Sequence, residues 1–82
     1  MIRVKDTYIV VNNIMAIELE TETKYILYQS EPDINYTMII RYFNEASVRI
    51  AMETKDEYFE TADMIRDRIE FLEANDNGNI RR

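Results

Sequence analysis

Asp56, Glu60, Asp63, Asp67 and Glu70 recur at steps of four, three, four and three residues in a chain of 82. On a helix, ~100° per residue places these five carboxylates within an arc of roughly 80°, and ~1.5 Å of rise per residue makes a row about 21 Å long. Such a row suits two kinds of chemistry. Paired carboxylates serve as general acid and base, but they need a cleft that shifts their pKa. The convex back of a helix offers none, so no catalytic residue and no enzymatic activity are expected. A linear negative ridge can instead meet a basic partner. Like charges at these spacings repel by a few tenths of a kcal/mol per close pair, so folding gains little from the row. The competing account is a solvated face that only aids solubility, which is the commoner fate of a charged helix back.

The charge is local. Between Glu53 and Asp76 nine acids stand against three bases, a net of −6 that equals the charge of the whole chain, and the remaining residues hold seven of each. No Lys or Arg falls within the arc, although Arg66 and Arg68 flank it. Met64 and Phe71, seven apart, lie together at its edge, where exposed Met and aromatic side chains commonly anchor protein interfaces. The plainer account is that they cover the rim of a sheet.

Other chemistries are excluded by composition. The chain has no Cys and no His, so it lacks a disulfide framework, a thiolate zinc site, a Cys nucleophile and any His-based triad. One Gly and one Pro cannot build a glycine-rich phosphate loop. The acidic balance argues against direct nucleic-acid binding through a basic footprint. No metal site and no cofactor are expected. The tail Glu73–Ile80 superficially follows calcium-loop spacing, but the chain ends before the bidentate Glu that such a loop requires. Five tyrosines in strand-like runs (Tyr8, Tyr25, Tyr28, Tyr36 and Tyr42) suit sheet packing better than base stacking, which comes with positive charge. The apolar runs are too short to span a bilayer and the N-terminus is charged too early for a signal peptide, so a cytoplasmic protein with no membrane partner is expected.

The elements that position the row are legible. Tyr8–Val11 reads as a strand ended by Asn12-Asn13, and Ile14–Glu20 alternates with the two-residue period of a half-buried strand. Thr21–Lys24 reads as a polar connection, Tyr25–Tyr28 as the next strand, and Ser30–Asp33 around Pro32 as a loop. Tyr36–Tyr42 and Ser47–Met52 follow as strands about a turn at Asn44–Ala46. Thr54 to Glu57 is a capping box, in which Thr54 caps the helix and Glu57 can bond back. Tyr58, Ala62, Ile65, Ile69 and Leu72 then form an apolar stripe on a helix running to about Ala74. Asn77-Gly78 is a stop signal. The expected fold is α+β: a four- or five-stranded antiparallel meander with one C-terminal amphipathic helix packed on it. Residues 1–75 form a single domain and 76–82 a flexible C-terminal tail. A core this small has a thin margin of stability, and homodimerisation is an ordinary way to widen it.

In size, acidic balance and the Asp56–Glu70 row, the chain resembles the small Cys-free phage proteins that mimic DNA, a group that includes Bacillus phage inhibitors of the nucleoid protein HU. The resemblance implies a non-enzymatic inhibitor that occupies the basic nucleic-acid-binding surface of a host protein, in the host cytoplasm. Asp56, Glu60, Asp63, Asp67 and Glu70, bordered by Met64 and Phe71, would be its partner-binding residues. The alternative is a structural or assembly module whose acidic helix face is merely solvated.

Overall fold

Five strands and one helix follow one another along the chain: β1 (Ile2–Val4), β2 (Thr7–Ile9), β3 (Ile14–Lys24), β4 (Asp33–Tyr42), β5 (Ser47–Met52) and α1 (Lys55–Ile80). The computed structural model describes the backbone of residues 1–80 and the side chains of residues 1–73. All strand pairings are antiparallel. The class is α+β, as the periodicities predict, but the strands divide into two sheets. β1 and β2 form a hairpin of their own, and β3, β4 and β5 form a meander in that order. The connector after β2 explains the separation. The Tyr42 hydroxyl donates to the Val10 carbonyl at 2.7 Å, and the Phe43 N–H donates to the Asn13 carbonyl at 3.0 Å. These bonds tie the connector to the end of β4, so the hairpin lies over the meander rather than joining its edge.

Pairing, rather than polarity, sets the length of β3. It does not stop at Glu20 but continues through Thr21–Lys24, because Thr21 pairs Tyr36, Glu22 pairs Asn35, Thr23 pairs Ile34 and Lys24 pairs Asp33. Backbone hydrogen bonds to β4 sustain a polar stretch that carries no hydrophobic signal. Tyr25–Tyr28, expected as a strand, is instead the tip of the β3–β4 hairpin. The Gln29 N–H donates to the Ile26 carbonyl at 3.1 Å across a tight turn, and Tyr28 takes a left-handed φ of 72°. With its single Gly near the C-terminus, the chain also places Lys5, Asn13 and Glu45 at positive φ in its turns.

The register sorts the meander into two faces. Ile17, Ile40 and Val48 share one face with Leu19, Met38 and Ile50, and then Tyr36 and Met52. The helix stripe and the hairpin cover this face, and Val4, Ile9, Met38, Ile40, Ile50, Met52, Tyr58 and Ile65 form one buried cluster. The opposite face is polar. Its Ile39 is nonetheless buried, flanked across the strands by Glu18 and Arg49, whose ion pairs with Arg41 and Glu20 lay aliphatic stems around it.

The capping box forms in one half only. The Glu57 N–H donates to Thr54 Oγ1 at 3.1 Å, but the Glu57 carboxylate turns to Lys5 Nζ at 2.5 Å. The same ammonium donates to the Ala51 carbonyl at 2.8 Å, so Lys5 ties the hairpin to β5 and to the start of α1. Its hydrogen bond holds the Glu57 carboxyl below the ordinary value of 4.5, against the opposing effect of desolvation. A lowered carboxyl pKa stabilises the fold above the unfolded value and loses that contribution as pH falls through the folded one. Glu57→Gln should therefore lower the urea midpoint at pH 7, with the gap to the parent closing below about pH 4. A gap that stays constant across that range would show that the pair contributes nothing by charge.

Past Ala74 the helix continues to Ile80, through the Asn77-Gly78 stop signal. An interior Gly costs only about 1 kcal/mol relative to Ala and keeps its backbone hydrogen bond, so it need not end a helix. The expected flexible tail thus overlaps helical backbone as far as Ile80, and residues 81–82 lie outside the described residues.

Candidate functional site: an acidic helix face beside an open sheet edge

Burial follows the helical wheel. Tyr58 and Ile65 are buried and Ala62, Ile69 and Leu72 half-buried, whereas Asp56, Glu60, Asp63, Asp67 and Glu70 are all exposed on the far side. The structure therefore brings the five predicted carboxylates together on one solvent-facing strip of α1. Arg66 modifies it: its guanidinium reaches Asp63 at 2.9 Å, so a base just outside the arc neutralises the middle of the row. Asp56, Glu60, Asp67 and Glu70 make no ion pair among the described residues. Elsewhere the bases are engaged, with Arg3 on Asp6, Lys24 on Glu22, Arg41 on Glu18 and Arg49 on Glu20. Glu31, Asp33, Glu45 and Glu53 are also without an ion pair among the described residues, but they are scattered over loops and strand ends, whereas those of α1 stand in one row.

The two flanks of the strip differ. Glu57 meets Lys5 of the hairpin turn, which identifies the flank that also carries Met64 and Phe71. Both are about half exposed, and the Arg68 guanidinium lies 5.8 Å from the centre of the Phe71 ring. The other flank faces β3. There Asp63 and Arg66 rim an open groove of about 310 Å³ whose walls include Met15 and Ile17 of β3 and Tyr58, Ala62 and Ile69 of α1. Phe59 is half exposed and packs edge-on to Tyr58 at 5.1 Å between ring centres. Tyr58 leans toward β3, its hydroxyl 3.4 Å from the Ile17 carbonyl, and burial followed by the nearby Glu18 charge pushes its phenol above its ordinary value. The groove arises because α1 crosses β4 and β5 and leaves β3 at the margin.

Two surface features escape sequence reasoning. One is this groove with the adjoining free edge of β3, which no local pattern marks. The other is the hairpin tip, where Tyr25, Leu27 and Tyr28 are 85%, 76% and 97% exposed and Ile26 and Ile34 are also open. Its signal is present in the sequence: four apolar residues in a row without alternation, which a half-buried strand does not show. An open hollow of about 470 Å³ at the opposite end of the meander is lined by Tyr8, Val10, Tyr42 and Val48 with asparagines around them. No charged side chain lines it, so it presents no acid–base pair. Among the described residues no three acids gather as a cation cluster, and no helix is long and apolar enough to cross a membrane.

Searches against protein-family models, curated proteins and solved structures return no match for this chain.

Proposed function

We propose that this protein is a non-enzymatic binding protein that uses the carboxylates of α1 to occupy the basic, nucleic-acid-binding surface of another protein, as a DNA-mimic inhibitor does. The observation that carries this reading is the placement of Asp56, Glu60, Asp67 and Glu70 on one exposed strip with no counter-ion among the described residues, while the strands pair most of their own charge. B-DNA carries one charge per ~1.7 Å of axis, so the row is sparser than phosphate. A homodimer would double it.

The protein immobilised and incubated with bacterial lysate at low salt should retain basic nucleic-acid-binding proteins. Raising the salt, which screens exposed charges over ~10 Å or less, or adding duplex DNA as competitor, should release them. Retention that ignores both salt and DNA would sink the reading, as would the absence of any basic protein in the retained fraction.

A second reading has its own support. The apolar tip of the β3–β4 hairpin, Tyr25 to Tyr28, is exposed, and none of the described residues buries it. Exposed apolar clusters of this kind mark interaction surfaces. An assembly module engaging through that tip would bind with little dependence on salt, and neutralising the acidic row would leave it unharmed.

A further inference from the structure

We propose that copies of this chain associate head to tail, the apolar tip of the β3–β4 hairpin of one copy seating in the uncharged hollow at the far end of the next copy's meander. This rests on the reading of the tip as an interaction surface and names what covers it.

The tip is built to be presented. Tyr25, Leu27 and Tyr28 stand largely in solvent, with Ile26 and Ile34 partly open beside them. Tyr28 sits at a φ of 72°, a left-handed conformation that is costly for a bulky side chain and that Gly or Asn enters readily. The turn itself does not ask for Tyr there. What Tyr adds is a ring held in solvent. No residue from Tyr25 to Ser30 carries a charge.

The hollow matches it in chemistry. Its lining is uncharged, with apolar walls from Tyr8, Val10 and Val48 and amides from Asn12, Asn13 and Asn44. Its volume of about 470 Å³ lies in the range that takes up a small organic molecule. Among the described residues the side chains of Asn12 and Asn13 make no hydrogen bond, and neither do the phenols of Tyr25 and Tyr28. Amides that both donate and accept can pair with phenols that do the same.

The two surfaces belong to different copies by geometry. The tip precedes β4 and the hollow takes in its last residue, Tyr42. The ten residues of β4 separate them by about 33 Å at ~3.3 Å per residue. Two copies of a chain that carries −6 repel, so contact between them requires surfaces free of acid, as these are. A tip-to-tip contact is worse, because it brings together Glu31 and Asp33 of both copies, which follow the tip and have no ion pair among the described residues. Like charges set together across an interface oppose it. Burying two tyrosines covers roughly 300–500 Å², and the matching surface of the hollow brings the total to about 1,000 Å² at most, the size of a weak, reversible interface. Each copy keeps one tip or one hollow free, so the assembly grows as a row unless the rotation closes a ring.

The test uses the intact protein and two variants. Tyr25→Ser, Leu27→Ser and Tyr28→Asn together blunt the tip and keep a residue that tolerates the turn. Asn12→Glu with Ala46→Glu places acids in the hollow, opposite Glu31 and Asp33 of an incoming tip. All five positions are exposed, so circular dichroism should show both variants folded. In sedimentation velocity the parent should gain mass between about 10 µM and about 1 mM, with little dependence on salt. Each variant alone should associate at least about tenfold more weakly. Mixed in equal amounts, they should form a one-to-one pair that grows no further, because one keeps its hollow and the other its tip. Amide signals of the isotope-labelled tip variant, titrated with the unlabelled hollow variant or with the parent, should shift in residues 8–13 and 42–48. A parent that stays monomeric throughout would overturn the head-to-tail contact and leave the tip to a different protein. Association lost in the tip variant, kept in the hollow variant and not rescued by mixing would overturn it in favour of tip-to-tip pairing. Association that neither variant weakens would sink both this contact and the reading of the tip.

Discussion

Ile65→Ala should lower the free energy of unfolding by about 2–5 kcal/mol, the range for truncating a buried Ile to Ala. Ile65 is 0% exposed, lies at the middle of the apolar stripe of α1, and belongs to one cluster with Met38, Ile40, Ile50 and Met52. Truncation would remove buried methyl groups and leave a cavity where helix and sheet meet. A domain of this size has no disulfide to widen its margin, and small domains lose roughly 4–8 °C of Tm per kcal/mol. The melting temperature followed by circular dichroism should therefore drop by more than about 10 °C. Met64→Ala, one residue earlier but about half exposed, provides the internal control and should stay within about 0.5 kcal/mol of the parent. If the two variants melt together, α1 is not docked through this stripe, and the placement of the acidic row on the outer side loses its basis.

Reversing Asp63 and Asp67 together to Lys should weaken binding to a basic partner by of order a hundredfold at low salt, taking roughly tenfold for each reversed carboxylate. Both side chains are exposed and neither is in the core, so the loss should come without unfolding. The local energetics sharpen the contrast. Asp63 and Asp67 are four residues apart and repel in the parent, whereas Asp63 also pairs with Arg66. These effects are each a few tenths of a kcal/mol on a helix surface, so Tm should hardly change while affinity collapses. The difference between parent and variant should shrink as salt rises. Binding that survives the double reversal would refute the acidic-helix reading and favour engagement through the hairpin tip.

Much of this architecture was legible because local periodicity and burial coincide. The step of three and four in Tyr58, Ala62, Ile65, Ile69 and Leu72 predicts both the helix and its buried side, and the five acids fall opposite by the same geometry. Met38, Ile40, Ile50 and Met52 alternate, and they are the core of the sheet. Thr54 caps the helix as its type and position require. Where the reading departed from the structure, the missing information was the partner. Glu57 had two candidates for its carboxylate, and proximity in space to Lys5 decided between them. Thr21–Lys24 is a strand because Asp33–Tyr36 lies alongside, and Tyr25–Tyr28 is a turn because nothing does.

By itself, then, the order of residues determined the class of the fold, the inner and outer sides of the helix, and the confinement of the net charge to one element. These follow from short-range geometry, in which each residue's direction is set by a period of 3.6 or 2. The tertiary structure alone decided that the hairpin stands apart from the meander, that Arg66 closes on Asp63, and that α1 leaves β3 at its margin with a groove between them. Those outcomes depend on which backbone groups find each other across long stretches of chain, and no local period encodes that.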